Sequence, residues 1–363
     1  MGPLRTVVLV ILGISSLTFI ALFGRLPVFS YILHENHPLV LIFFLGLLAI
    51  GEYFFLPTAW PWMSSIHKFW VPGVVILPFV LIYKCVVTKS FITSQNHDEE
   101  MKRYPYDRVL FHPGQRCRTC HFLKPARSKH CNICRACVSR HDHHCVWLMN
   151  CIGANNYVYF LSLLLSLSVL LTYGTLLGYS LLSQTLQEIV PSEYQAAMKG
   201  WKMYFNIWAV VITADAKIGT VTLLMLMTAP LAAAFLVYHT YLVWAGMTTN
   251  ESAKWSDWKC DVEDKLVFKA KRSQIPGAPR YMDLGDQPWP VDSDQILVLD
   301  DEPPADGYIL STDSNFIKYH SRPGAPVDGW ERTDSMGDIV NIYDLGFWNN
   351  LKDSVGLPVR RKW

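Results

Sequence analysis

The residues most able to do chemistry in this chain are its nine cysteines, seven of which lie between Cys117 and Cys151. They follow the spacing Cys-x2-Cys-x9-His-Cys-x2-Cys-x2-Cys-x4-Asp-His-His-Cys-x5-Cys. A Cys-x2-Cys pair turns two thiolates toward one ion, and a histidine further along the chain completes a closed tetrahedral zinc site. The segment is rich in Lys and Arg and is expected in the reducing cytosol, which favours metal binding over a disulfide framework.

The number of possible ligands exceeds what two zinc ions need. Two four-coordinate sites require eight ligands, and the segment offers seven cysteines and six histidines. If each site takes three cysteines and one histidine, one cysteine is left over, and that spare thiol is the residue of chemical interest. The order along the chain does not say which cysteine it is. The available histidines are His112, His121, His130, His141, His143 and His144.

The composition around this segment is that of a membrane protein. Of the 363 residues, 51% are hydrophobic and only 17% are charged, with a mean hydropathy of +0.19. A soluble domain carries about 25% charged residues. Helices of about 20 apolar residues cross the hydrocarbon layer. Five runs predict such spans, namely 6–24, 38–57, 69–88, 157–182 and 218–247.

The first run also fits a signal peptide, because a basic residue precedes an apolar stretch. No small-residue cleavage site is obvious before Arg25, which favours an uncleaved helix.

Charge is distributed unevenly and predicts the orientation. Residues 101–140 contain ten Lys and Arg against one acid, Asp107. The positive-inside rule therefore places the segment between the third and fourth spans in the cytosol. The amino terminus and the loop 183–217 are then expected in the lumen, and the tail from residue 248 in the cytosol. The acidic stretch 283–306, rich in Pro and Asp, predicts a solvated linker or a substrate-facing insert.

Three motifs identify a family. Asp142-His143-His144-Cys145 within the cysteine frame resembles the DHHC family of integral-membrane protein S-acyltransferases (palmitoyltransferases). The likeness continues after Cys151 with Asn156 and Phe160, and after the last span with Thr248-Thr249-Asn250-Glu251. Near the end, Asn341-Ile-Tyr343-Asp344-Leu-Gly346, with Asn350 and Gly356, resembles the carboxy-terminal motif of the family. The extra amino-terminal span and Trp255 are most similar to a fungal branch that acts in spore-wall formation at the endoplasmic reticulum.

The resemblance implies an α-helical integral membrane protein with about five transmembrane helices. A cytosolic, cysteine-rich domain with two zinc ions would be inserted between spans three and four. The expected organisation is three helices in 1–90, the zinc domain in 91–156, two helices with a lumenal loop in 157–247, and a cytosolic tail in 248–363. Both zinc sites would be closed and therefore structural. One would be held by Cys117, Cys120, His130 and Cys137, and the other by Cys131, Cys134, His144 and Cys151.

The same resemblance leaves Cys145 unligated, as the nucleophile. His143 would accept the proton of its thiol, and Asp142 would orient the imidazole. Cys145 would take the acyl chain from an acyl-CoA, palmitoyl-CoA above all, and pass it to a cysteine of a substrate protein. The expected substrates are membrane proteins with juxtamembrane cysteines, such as SNARE-like proteins.

Basic residues near the motif suggest how CoA would be bound. Lys124, Arg127 and Lys129 are the candidates for binding its phosphates. Basic residues that follow the positive-inside rule and contact anionic lipid would explain the same sequence pattern equally well.

Other motif residues have structural interpretations. Thr248-x-x-Glu251 predicts a helix capping box, and the family implies a hydrogen bond from Thr249 to Asp142. Asn341 and Tyr343 are expected to fold the tail back against the membrane part. His239, in the last span, is expected to be a hydrogen-bonded packing residue, while the remaining histidines are expected to be packing or surface residues: His112, His121 and His141.

Two other classes of protein were weighed. A non-enzymatic membrane adaptor with a zinc module would explain the ligands, but it leaves Cys145 beside a histidine without a purpose. A membrane-tethered zinc-knuckle protein that binds nucleic acid is disfavoured, because clear aromatic-basic interleaving is lacking and the tail is acidic. No nucleic-acid partner is therefore expected.

Overall fold

The computed structural model describes residues 38–196, 200–274, 293–304, 308–311, 318–321 and 329–359. The predicted span 6–24 and the amino terminus lie outside these residues. The chain divides into two compact units. The described part of the first unit comprises 38–87, 145–150 and 159–237, and the second comprises 88–144, 151–158 and the described residues from 238 on.

The described helices, in chain order, are α1 (Pro38–Ala59), α2 (Ser65–Val87), α3 (His97–Arg103), α4 (Tyr157–Ile189), α5 (Ser192–Ala196), α6 (Trp201–Ala214), α7 (Ala216–Trp244), α8 (Thr249–Glu263) and α9 (Phe347–Ser354). The described strands are β1 (Lys129–Cys131), β2 (Ala136–Val138), β3 (His143–Cys145), β4 (Asn150–Ile152), β5 (Val267–Lys271), β6 (Gln295–Leu299), β7 (Tyr308–Ser311), β8 (Lys318–Ser321) and β9 (Glu331–Arg332).

Four of the described helices, α1, α2, α4 and α7, are long and apolar enough to cross a membrane. They coincide with four of the five runs predicted as spans. Large apolar side chains on them are exposed, among them Phe69 at 75% and Met227 at 71%. Surfaces of this kind suit contact with lipid, since soluble proteins rarely expose large apolar patches.

The predicted loop 183–217 contains more structure than expected. Helix α6 lies within it, and its Ile207 and Val211 are buried in the core of the first unit, together with Leu181 and Met225. Two apolar residues at i and i+4 share one helix face, so this spacing favours a helix packed against its neighbours. The segment predicted as a loop between two spans therefore contains a helix at 201–214 that the sequence analysis did not predict.

Helices α4 and α7 approach closely where α4 carries Gly174 and Gly178. A Cβ atom added at Gly178 would overlap the side chain of Thr222, and one at Gly174 would overlap Met225. Small residues four apart allow two membrane helices to pack closely through van der Waals contact. These glycines therefore set the distance between α4 and α7.

The second unit contains the cysteine-rich segment and the tail, and one of its apolar cores packs residues from both. Met101, Val109, Trp258, Leu297 and Tyr343 are among its buried members. The segment itself forms two small hairpins, β1 with β2 and β3 with β4. Beyond α8, five strands form a sheet in the order β7-β8-β6-β5-β9.

This sheet corrects two expectations. A purely α-helical fold class omits it, and β6 lies inside the acidic stretch predicted as a solvated linker. Ile296, Leu297 and Val298 in β6 are 0% exposed, and β6 pairs antiparallel to β5 and parallel to β8. The run Ile-Leu-Val-Leu has high β propensity, but the acidic composition of the whole stretch 283–306 predicts a linker.

The close contact of α4 and α7 is testable by replacing Gly178 with Val. Inserting side-chain atoms into a packed interface costs about 1–3 kcal/mol, so we expect a lower melting temperature for purified Gly178→Val in detergent. Gly46→Ala in α1 is the control, because a Cβ there has no atom within 4 Å. Equal melting temperatures for both variants would contradict the packing described here.

Candidate active site and metal centres

The first predicted set of zinc ligands comes together in the structure. The Nδ1 atom of His130 lies 3.5 Å from Sγ of Cys117, 3.4 Å from Sγ of Cys120 and 3.8 Å from Sγ of Cys137. Zinc bonds of about 2.3 Å to sulfur and about 2.0 Å to nitrogen place two tetrahedral ligands about 3.5 Å apart. The four atoms therefore fit one zinc ion.

The second set has the same geometry. The Nδ1 atom of His144 lies 3.7, 3.4 and 3.6 Å from the Sγ atoms of Cys131, Cys134 and Cys151 respectively. The Sγ atoms of Cys134 and Cys151 are 3.6 Å apart. Three thiolates and one imidazole at these separations again suit zinc, with no position left open for a water or a substrate. Ions held here would be structural.

The hairpin β1–β2 explains how one short segment serves two ions. His130 and Cys131 are neighbours in β1 but belong to different clusters. Successive side chains of a strand point to opposite sides. His130 pairs across the hairpin with Cys137 of its own cluster.

The two clusters take six of the seven cysteines in the segment and leave Cys145. Cys145 ends β3 and is 8% exposed. Its thiol belongs to neither cluster.

Asp142 and His143 form a closely hydrogen-bonded pair. Nδ1 of His143 lies 2.6 Å from Oδ2 of Asp142, whose side chain is completely buried. Thr249 binds the same carboxylate twice, since its backbone N–H donates to Oδ1 at 2.8 Å and its hydroxyl donates to Oδ2 at 2.9 Å. Burial raises the pKa of Asp142, but His143, His239 and the N–H of Thr249 together lower it by more, so that the pKa falls to about 2. Asp142 is therefore ionised at neutral pH.

His239 lies near this pair. Ligand atoms of Asp142, His143 and His239 all lie within 4.8 Å of one another. However, an oxygen and a nitrogen that bind one tetrahedral zinc ion are about 3.3 Å apart. Oδ2 of Asp142 and Nδ1 of His143 are 2.6 Å apart, which is the length of a charge-assisted hydrogen bond. Asp142 and His143 are thus a hydrogen-bonded pair and not two ligands of one zinc ion. His239 also makes a hydrogen bond of 3.2 Å with the hydroxyl of Tyr157, as expected of a packing residue.

The predicted capping box is confirmed at the start of α8. The hydroxyl of Thr248 accepts a hydrogen bond from the N–H of Glu251 at 3.3 Å, and the Glu251 carboxylate accepts one from the N–H of Thr248 at 3.0 Å. Asp142 binds the N–H of the first residue of this helix, where the helix dipole favours negative charge. The capping box and the bond to Asp142 are therefore parts of one arrangement.

Arg127 was wrongly assigned as a candidate for binding CoA phosphate. Its side chain is 2% exposed, and Nε and Nη2 donate to the two carboxylate oxygens of Glu251 at 2.7 and 2.6 Å. Nη2 also donates to the carbonyl of Gly246. Burial lowers the pKa of Arg127, but the charge and hydrogen bonds of Glu251, together with Tyr104 and Asp353, raise it, and the net shift is upward. Lys124 is half-buried and Lys129 is exposed, with Nζ of Lys129 3.0 Å from Oδ1 of Asn250; both stay predictions.

The carboxy-terminal motif binds the end of α7. The amides of Asn341 and Asn350 donate at 3.2 Å to the carbonyls of Ala245 and Trp244, which no further helical turn satisfies. The hydroxyl of Tyr343 donates to the carbonyl of Pro105 at 2.8 Å. These contacts agree with the expectation that the motif folds the tail back.

The remaining histidines of the segment are His112, His121 and His141. His112 is buried, and His121 is exposed. Burial lowers the pKa of His141 to about 4, so it is neutral at physiological pH.

Sequence reasoning missed two residues at this site, Arg140 and Asp353. Both are buried, and they form an ion pair of 3.7 Å. Arg140 was counted with the positive-inside residues, and Asp353 lies between two positions of the carboxy-terminal motif. A charged residue beside a motif gives no sign of its burial, so the sequence alone would not have paired them.

Metal analysis of purified variants tests the ligand assignment. We expect two zinc ions per chain in the unaltered protein and in Cys145→Ala, because the Cys145 thiol belongs to neither cluster. Cys120→Ser and Cys134→Ser should each lose zinc, since each removes a ligand of one closed site. Zinc loss from Cys145→Ala would show that the free cysteine is a different one.

Comparisons with known proteins show the family of this chain. The model of the DHHC palmitoyltransferase family matches residues 110–256. The palmitoyltransferase swf1 of Emericella nidulans is 53% identical over 97% of this chain and 96% of its own length. The palmitoyltransferase swf1 of Aspergillus fumigatus is 58% identical over 88% and 86%, and that of Neurospora crassa is 37% identical over 99% and 93%. The chain therefore belongs to the DHHC palmitoyltransferase family, whose members are protein S-acyltransferases.

Proposed function

We propose that this palmitoyltransferase transfers a long acyl chain from acyl-CoA to protein cysteines through an acyl-enzyme on Cys145. The observation that carries the proposal is the division of the cysteines. Six of the seven in the segment lie in two clusters with zinc geometry, while Cys145 lies two residues after His143, whose Nδ1 is bound by a buried, ionised Asp142. A free thiol with a histidine and an aspartate is the set of groups that nucleophilic thiol catalysis needs.

The hydrogen bond to Asp142 sets the tautomer of His143. With its Nδ1 proton donated to the carboxylate, the imidazole keeps Nε2 as the nitrogen that accepts a proton. His143 and Cys145 are two residues apart in β3, and side chains at this spacing point the same way from a strand. His143 is thus the base for the Cys145 thiol, and Asp142 stabilises the imidazolium that forms.

The reaction has two thioester exchanges. In the first, the Cys145 thiolate attacks the carbonyl carbon of acyl-CoA, a new carbon–sulfur bond forms, and the CoA thiolate leaves and takes the proton from His143. In the second, the thiolate of a substrate cysteine attacks the acyl-enzyme, and Cys145 leaves as the thiolate. The zinc ions would take no part in either exchange, since their sites are closed.

The acyl chain indicates where substrates are modified. At about 0.8 kcal/mol per buried CH2, a palmitoyl chain gains most of its binding energy by leaving water. The apolar helices α1 and α2 belong to the same unit as Cys145, as do residues 159–189 of α4 and 216–237 of α7. We infer that the chain is held among membrane helices and that accessible substrates carry cysteines beside their own spans, as SNARE-like proteins do.

Orientation and location follow from the basic segment and the family branch. The zinc segment and the tail would face the cytosol, and the amino terminus the lumen, in a multi-pass protein of the endoplasmic reticulum membrane. The exposed Lys129 and half-buried Lys124 would be available to the phosphates of CoA on the cytosolic side.

Labelling with radioactive palmitoyl-CoA in detergent tests the acyl-enzyme. We expect label on the unaltered protein, complete release of that label by neutral hydroxylamine, and no label on Cys145→Ala. The matched control is Cys260→Ser, which removes an exposed cysteine outside both clusters and should label normally. Label that persists on zinc-loaded Cys145→Ala would place the acyl chain on another residue, and an unlabelled, zinc-loaded wild type would contradict the proposed function.

A further inference from the structure

A buried ionic cluster lies beside the Asp142–His143 segment and has no role in the chemistry proposed above. It comprises Arg127, Arg140, Glu251 and Asp353, whose side chains are 2%, 4%, 1% and 9% exposed. Two guanidinium groups and two carboxylates make its formal charge zero. Because removing one partner of a buried ion pair leaves an uncompensated charge out of water, each cation depends on its anion.

The carboxylate of Asp353 lies between the two arginines. Its Oδ2 is 3.7 Å from Nε of Arg140 and 3.8 Å from Nη1 of Arg127, and it accepts a hydrogen bond from the Tyr104 hydroxyl at 3.0 Å. Arg127 also has the bidentate pair with Glu251. In the described part of the chain, Asp353 is the one acid within ion-pair distance of Arg140. Loss of Asp353 would therefore leave Arg140 as the unpaired cation.

Arg140 is well placed to affect the reacting groups, because it precedes Asp142 by two residues. Its backbone φ is 43°, and a residue other than glycine keeps such a conformation only where surrounding contacts hold it. Those contacts come from its side chain. Nη2 donates to the hydroxyl of Ser354 at 2.8 Å, and the guanidinium lies 5.1 Å from the ring centre of Tyr157.

The residue between Arg140 and Asp142 is held by the same group of elements. The N–H of His141 donates to the backbone carbonyl of Arg127 at 2.9 Å, and its carbonyl accepts a hydrogen bond from the Thr248 hydroxyl at 3.0 Å. Each residue of segment 140–142 is thus held by contacts with other elements. For Arg140, Asp353 and Ser354 of α9 make these contacts.

We propose that Asp353 is a positioning residue for acyl transfer. By neutralising Arg140, it holds the backbone that presents Asp142 to His143, without touching the reacting atoms. The tail helix α9 is therefore required for the rate of the chemical step. This inference rests on the proposed function, in which Cys145 is acylated with His143 as base.

The test is the kinetics of Cys145 acylation by palmitoyl-CoA in zinc-loaded, full-length variants. A displacement of about 1 Å in reacting groups costs about 10²-fold in rate, so we expect Asp353→Asn to lower kcat by up to that factor while KM for palmitoyl-CoA stays unchanged. Asp353→Glu, which restores the charge, should recover most of the rate. Asp257→Asn, at an exposed acid of α8, is the control for loss of one negative charge.

A double-mutant cycle shows whether Asp353 acts through Arg140. Arg140→Gln removes the side chain through which Asp353 acts, so it should lower kcat about as much as Asp353→Asn does, and adding Asp353→Asn to it should change kcat little further. If Asp353→Asn does not retain its zinc, the comparison of Arg140→Gln with the double variant still decides the question. Normal kcat in folded Asp353→Asn, or a large further loss in the double variant, would overturn the inference. A wild type that takes no palmitate on Cys145 would contradict the proposed function instead.

Discussion

The arrangement of this site depends on one buried carboxylate, that of Asp142. A completely buried, ionised carboxylate is costly unless its oxygens are hydrogen-bonded. His143 and both the N–H and the hydroxyl of Thr249 supply those bonds. The bond from His143 also sets the tautomer of its imidazole. The interaction that stabilises the charge of Asp142 therefore also makes Nε2 of His143 the nitrogen that accepts a proton.

Several elements of the second unit support the segment that carries Asp142. Zinc ions in the two clusters would hold the hairpins β1–β2 and β3–β4, which carry the ligands and the catalytic segment in one short stretch of chain. The capping box of α8 places Thr249, and Arg127 ties Glu251 of that box to the zinc segment. The asparagines of the carboxy-terminal motif hold the tail on the end of α7. The zinc segment, the start of α8, the end of α7 and the tail are far apart in sequence, but these contacts join them in one unit.

The sequence predicted the parts of this arrangement that rest on local patterns. Four apolar runs became helices able to span a membrane, and the capping box formed from residues three apart. Predictions failed where the answer depends on partners distant in sequence. Arg127 appeared to be a free basic residue, but it is buried against Glu251, 124 positions away. Strand β6 was not predicted because the residues around it are acidic. Helix α6 was not predicted because it lies in the segment that connects two spans. The ion pair of Arg140 and Asp353 is a tertiary contact without any local pattern.

The bond from the Thr249 hydroxyl to Asp142 allows the most direct measurement. Val has nearly the same shape as Thr without the hydroxyl, whereas Ser keeps the hydroxyl, and neither substitution alters the backbone N–H. A hydrogen bond to a charged group contributes about 1.5–3 kcal/mol, so we expect Thr249→Val to slow single-turnover acylation of Cys145 by about tenfold or more, and Thr249→Ser to remain close to wild type. Acylation of folded, zinc-loaded Thr249→Val at the wild-type rate would show that the reaction does not depend on how Asp142 is held.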